Sequence, residues 1–202
     1  MLQQEEASND DLATPRPRSR KVKRRTVEWI AIILVAVLAS FVIRTYVVQV
    51  FVVPSGSMLP TLQIGDRIVV DQIPGLAHDI HRGDIVVFHR APGDADTQYP
   101  ILVKRVIGLP GETISSQGDT VYINGQAIPE PWLAAMNATP TCSQPNFDIP
   151  TTLIPSGQYY VMGDCRGNSS DSRVWGTVPV NNIIGRVSFV IWQHNHPWLH
   201  WF

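Results

Sequence analysis

The chain of 202 residues is poor in several things, and each scarcity narrows what it can be. Two cysteines, Cys142 and Cys165, are too few for a disulfide-framed miniature domain. With the histidines far away in sequence, they are also too few for a four-ligand zinc site, so no metal is expected. Lysine is scarcer still where it matters: beyond Arg25 there is one, Lys104, against eight arginines. Basic charge is confined to the start, where residues 1–25 hold seven Lys/Arg against four Asp/Glu, leaving nine against thirteen for the rest. A nucleic-acid binder would spread its basic residues over a folded surface, so nucleic acid is set aside as a partner. No internal repeat is present, and no long helical period occurs after about residue 46. The length suits one catalytic body plus an anchor, not two large domains with separate cores.

What is present begins with a basic run, Arg16, Arg18, Arg20, Lys21, Lys23, Arg24 and Arg25, ahead of an apolar stretch over 29–43 that no charge interrupts. Counted over 26–46, with Glu28 and Arg44 free to snorkel at either end, the segment approaches the roughly 20 residues that a membrane span needs. The expectation is therefore a disordered basic tail (1–25), a single transmembrane helix (26–46) and an outer body (47–202). The positive-inside rule puts the N-terminus in the cytoplasm and the body outside. A cleaved secretory signal is the alternative, since Val37-Leu38-Ala39 meets a small-x-small rule, but the apolar character runs well past Ala39. Outside the cytoplasm, Cys142 and Cys165 are expected to form a disulfide.

After the apolar stretch come short β-rich runs at 47–53, 67–70, 85–88, 101–107, 121–123, 159–162 and 183–192, separated by Gly, Pro and Asp. Asn124-Gly125, directly after one run, marks a hairpin because both residues tolerate positive φ. The pattern predicts a mostly β catalytic domain. Residues 115–155 differ in texture, being rich in Pro, Thr, Asn and Gln, and are expected to form a small inserted subdomain or an extended loop. The end of the chain carries Trp192, Trp198, Trp201 and Phe202 among His194, His196 and His200, a composition suited to a membrane interface.

Three segments carry chemistry. Pro54-Ser55-Gly56-Ser57-Met58-Leu59-Pro60-Thr61 leaves a strand and turns between two prolines, presenting a serine hydroxyl rigidly. Serine needs a base to take its proton, and none of the six histidines sits in a recognisable triad context. Lys104 is the better candidate, because lysine loses its proton when desolvated and arginine does not. On strand alternation Lys104 shares a face with Leu102 and Val106, an apolar setting. The third segment, from Gly163-Asp164-Cys165-Arg166 through Ser169, Asp171 and Arg173 to Gly176, is unusually dense in small polar and charged residues.

Together with Arg67, Gly83-Asp84-Ile85-Val86-Val87-Phe88 and Val103-Lys104-Arg105-Val106-Ile107-Gly108-Leu109-Pro110-Gly111, these segments resemble in order and spacing the boxes of bacterial type I signal peptidases. The resemblance spans most of residues 45–190. It implies a serine endopeptidase of the bacterial cell membrane, with a signal-peptidase-like β fold, that removes signal peptides from secreted preproteins and works without a cofactor. It implies Ser57 as nucleophile and Lys104 as general base, with Ser55 joining the Ser57 N–H in the oxyanion hole. Ser169 matches the residue that hydrogen-bonds the lysine ammonium, and Asp171 and Arg173 a pair bracing the site. Met58 and Val103 match positions near the pockets for small side chains at −1 and −3. The expected partners are these signal peptides and the lipid bilayer, with the enzyme a monomer. Cys165 and Gly167 depart from the family pattern without touching the dyad. A non-catalytic anchored β domain that binds an extracellular partner is the competing reading.

Overall fold

A computed structural model describes residues 19–46, 48–72, 79–90, 99–133, 142, 148–192 and 200–201. The chain divides into two units, residues 1–42 and 43–202. The first holds most of a helix, α1 (Ser19–Tyr46, 28 residues), which starts earlier than the expected 26–46. Its extra turns come from the basic run, since Lys and Arg are good helix formers and nothing there breaks the helix. Residues 19–25, assigned to a disordered tail on composition, are thus helical. Within it, Trp29, Ile33, Val37 and Phe41 are exposed. Among the described residues no helix is long and apolar enough to cross a membrane.

The second unit is mostly β, and every strand pairing among its described residues is antiparallel. Its strands are β1 (Val48–Val52), β2 (Arg67–Asp71), β3 (Ile85–His89), β4 (Ile101–Gly108), β5 (Thr113–Gln117), β6 (Thr120–Ile123), β7 (Gln126–Ala127), β8 (Thr152–Leu153), β9 (Gln158–Met162), β10 (Val178–Pro179), β11 (Ile183–Trp192) and β12 (His200–Trp201). A one-turn helix, α2 (Ser172–Trp175), lies between β9 and β10. The larger sheet runs β1-β2-β11-β3-β4-β9-β10, with β12 added beside β11. The smaller runs β7-β6-β5-β8. It is formed from the stretch set apart by texture, and its β6–β7 hairpin turns at Asn124 and Gly125, both at positive φ as expected. Of the aromatic C-terminal tail, residues 193–199 and 202 lie outside the described residues, while His200 and Trp201 pair with Val190 and Phe189.

Burial explains the central strands. All four residues from Ile85 to Phe88 are buried, because the larger sheet is covered on both faces. Ile85 and Val87 join Met58, Leu62, Ile68 and Val187 on one side. Val86 and Phe88 join Val106, Tyr159 and Val161 on the other. A third cluster, including Ile114, Val121, Ile123 and Ile154, packs the smaller sheet against Ile107 and Met162. The centre of β4 therefore sits where apolar layers meet, and any charged group there is removed from water.

Candidate active site

Ser57 stands in a 3-10 turn, Gly56–Met58, directly after β1. Backbone bonds at the base of the turn, from Val53 N–H to Asp66 O (2.9 Å) and from Gly65 N–H to Val53 O (2.9 Å), fix its exit from the strand. Cys165 N–H donates to Ser57 O at 3.1 Å, tying the turn to the polar segment after β9. Gly163 makes that approach possible. A Cβ there would lie 2.5 Å from Ser57 O and 2.3 Å from Ser169 Oγ, so no larger residue fits without displacing the turn. The Cys142–Cys165 disulfide forms as expected and anchors the same segment.

Lys104 lies on β4 opposite Val86 of β3, with Leu102 and Val106 on its face in the cluster of Val86 and Phe88. Its side chain is buried, and Nζ is 2.6 Å from Ser57 Oγ, itself buried. Desolvation is the main reason that the amine's pKa falls from an ordinary 10.5 to about 8. Arg173 and Arg90 push it down further, while Asp171 and Asp164 oppose the fall. Ser55 Oγ is 3.5 Å from Ser57 Oγ. Two cavities open on this pair. One, of about 170 Å³, is lined by Ser57, Lys104, Arg90, Tyr99, Asn168 and Ser170. The other is small, about 20 Å³, with apolar walls that include Val53, Met58, Ile101 and Val103. Neither cavity has a histidine among its described lining residues.

A layer of paired charges stands behind the dyad. Asp171 is fully buried and caps α2, accepting from Arg173 N–H at 3.2 Å and from Gly163 N–H at 3.0 Å. Arg173 grips the carboxylate with Nε and Nη2, both at 2.8 Å, and Nη2 also donates to Arg166 O at 2.8 Å. Through these hydrogen bonds the pair is tied to the backbone of the polar segment. The bond expected from Ser169 to the lysine is not made. Ser169 Oγ is buried without a hydrogen-bond partner among the described residues, because it is turned into the space that Gly163 leaves open.

Sequence reasoning assigns no role to several other members of this layer. Arg105 forks onto buried Asp164 through Nε (2.8 Å) and Nη2 (2.6 Å), donates to Gly83 O at 2.7 Å, and lies 4.7 Å over the Trp132 ring. Thr61 Oγ1 donates to the same carboxylate at 2.5 Å. Arg166 pairs with Glu130, both buried, which ties the smaller-sheet region to the polar segment. The sequence offers one faint signal, an arginine abutting the lone lysine, but Arg105 and Asp164 are 59 positions apart.

The family model described as "Signal peptidase, peptidase S26" matches residues 26–192. The chain is 38% identical over 165 residues to a probable signal peptidase I-1 of Synechocystis sp., covering 80% of each. It is 43% identical over 148 residues to a signal peptidase I of Leptolyngbya laminosa, covering 71% of this chain and 68% of that one. To a signal peptidase I of Bacillus amyloliquefaciens it is 39% identical over 182 residues, covering 87% and 92%. A crystal structure of a signal peptidase I from Enterococcus faecalis V583 aligns at 34% identity and a TM-score of 0.44, over 53% of this chain and 95% of that one. With relatives of this identity along most of its length and a family match over residues 26–192, the chain belongs to the signal peptidase family, peptidase S26.

Proposed function

We propose that the chain is a membrane-anchored serine endopeptidase that cuts signal peptides from exported preproteins after small residues, with Ser57 as nucleophile and Lys104 as general base. The observation that carries this reading is the 2.6 Å contact between Ser57 Oγ and a buried lysine whose pKa is near 8. Above that pH the amine is mostly neutral and accepts the hydroxyl proton, so the contact runs from Oγ–H to Nζ as Oγ attacks the scissile carbonyl. Protonated Nζ then passes the proton to the leaving amine. The negative oxygen of the tetrahedral intermediate is held by Ser57 N–H and Ser55 Oγ, donors aimed where charge develops. Deacylation by water repeats the steps with the same base.

Specificity for small side chains follows from the apolar cavity beside Met58 and Val103, with room for about one water-sized group. Ser169 Oγ, beside Gly163 with its hydrogen-bonding capacity unspent, is suited to receive the ammonium once it forms. Asp171 and Arg173 hold the loop that presents it. On this reading the chain is anchored in a bacterial membrane through the apolar stretch of α1, although α1 by itself is not long and apolar enough to cross one, with the basic end in the cytoplasm, the β unit outside and the enzyme a monomer. No metal or cofactor enters these steps.

The test is incubation of the purified protein in detergent with a preprotein bearing Ala at −1 and −3, followed by mapping of the new N-terminus. A single cut after the −1 alanine, absent in Ser57→Ala, is expected. Cutting that persists in Ser57→Ala, or no cut at that bond, would overturn the proposal.

A further inference from the structure

The carbonyl of Ser57 lies so close to Gly163 that a Cβ there would come within 2.5 Å of it. Two buried ion pairs hold the backbone of that glycine from opposite ends. Its N–H donates to Asp171 Oδ2 at 3.0 Å, and Arg173 grips the same carboxylate. Its carbonyl accepts from Arg166 Nε at 3.2 Å, and the same guanidinium forks through Nη1 and Nη2 onto Glu130. Arg166 also follows Cys165, whose N–H donates to Ser57 O at 3.1 Å. Glu130 itself stands outside the polar segment, after β7 in the smaller-sheet region. A carboxylate remote in sequence thus fixes the far end of the arginine that holds Gly163.

Cohesion alone does not call for this pair. Ile114, Val121, Ile123 and Ile154 already pack the smaller sheet against Ile107 and Met162, and a buried ion pair adds little stability over an apolar pair of the same volume. A fork from guanidinium to carboxylate supplies direction instead, because it holds the arginine in one orientation. Direction matters here, since the 2.6 Å contact of Ser57 Oγ with Lys104 Nζ tolerates little displacement, and a shift of about 1 Å costs roughly 100-fold in rate. We propose that Glu130 is a positioning residue for the nucleophile, acting through Arg166 and the Gly163 carbonyl on the place of Ser57. The inference rests on the reading of Ser57 and Lys104 as the dyad. Neither Glu130 nor Arg166 is among the described lining residues of the two cavities at the dyad, so the effect falls on the chemical step and not on substrate binding. Lys104 keeps its burial on β4, so its titration is left in place.

The experiment measures kcat, KM and the pH profile of the full-length protein in detergent, on a preprotein with Ala at −1 and −3, for wild type, Glu130→Ala, Glu130→Gln, Arg166→Met and Glu130→Ala with Arg166→Met. Ile123→Ala, which loosens the core of the smaller sheet, is the control for stability alone. All are assayed at a temperature where circular dichroism shows them folded. Glu130→Ala should lower kcat about 10- to 100-fold, with KM within about twofold of wild type and the pH midpoint unmoved. Glu130→Gln keeps a hydrogen bond without the charge and should lose only about three- to tenfold. On Arg166→Met, Glu130→Ala should add no further loss, since its route to Ser57 is already cut. Ile123→Ala should melt lower and keep its kcat. Wild-type kcat in the folded Glu130 variants overturns the proposal, as does a loss that falls on KM or moves the pH midpoint. So does a full extra loss in the double variant, or an equal fall of kcat in Ile123→Ala. If Glu130→Ala does not fold, Glu130→Gln decides by the same criteria. Failure of folded wild type to cut the preprotein at all would instead refute the signal-peptidase reading, before any variant is compared.

Discussion

Lys104 and Arg105 are consecutive residues on β4, both buried, and their surroundings are opposite. Arg105 meets a carboxylate fork, a carbonyl and an aromatic face. Lys104 meets an apolar strand face and the hydroxyl of Ser57, and no ion pair involves it among the described residues. A buried cation with a carboxylate in contact stays charged and braces the fold. A buried cation without one is costly to keep charged and gives up its proton more readily. One strand thus supplies a structural charge and a titratable one side by side. The behind-site layer of Arg105–Asp164, Arg166–Glu130 and Arg173–Asp171 repeats the first arrangement, and among the buried cations of the described site only the lysine has the second.

Exchanging the two kinds of cation breaks the comparison most severely. Lys104→Arg should lower kcat/KM by about 10²–10⁴-fold, since a guanidinium stays protonated and cannot act as base. Cleavage assays against a correctly folded control, checked by circular dichroism, measure this. Removing the structural charge should instead act on stability. Arg105→Met leaves Asp164 buried without its partner and should cost about 3–5 kcal/mol in denaturant unfolding.

The disulfide is the next largest expected effect. Cys142 and Cys165 are 23 positions apart, and opening a loop of this size costs on the order of 3 kcal/mol in the chain-entropy model. Reduction should therefore lower the melting temperature, measured by calorimetry with and without reductant, while protein still folded keeps cutting. The smallest effect has the opposite sign. The lysine's fall from 10.5 to about 8 means that at neutral pH the unfolded chain holds this proton more tightly than the folded one, by about 3 kcal/mol. Lys104→Met should make the protein about 1–3 kcal/mol more stable and inactive, and equal destabilisation by Lys104→Met and Arg105→Met would erase the distinction between them.

The same contrast shows what could be read from the chain. Lys104 was legible because its residue type is rare here and its strand is apolar, two properties visible locally. The strands from β1 to β4, β6, β9 and β11 were legible for a similar reason, as β-rich runs bounded by turn residues. The short strands β7, β8 and β10 were not, since two residues carry no period and depend on tertiary pairing. Asp164, Glu130 and Arg105 were hidden because charge pairing joins positions far apart, and acidic and arginine residues occur throughout the sequence. The orientation of Ser169 was equally unreadable, because it depends on the space left by Gly163.

The most direct test of a lysine whose burial frees its amine from the proton near pH 8 is the pH dependence of kcat/KM between pH 6 and 10, on a preprotein with uncharged residues around the cut. This ratio reports ionisation of the free enzyme. Because the neutral amine is the active form, the rate should rise with pH, with a midpoint near 8, and level off above it. A rate that is flat across the range, or a rise with its midpoint at the ordinary histidine value of about 6.5, would contradict Lys104 as the base.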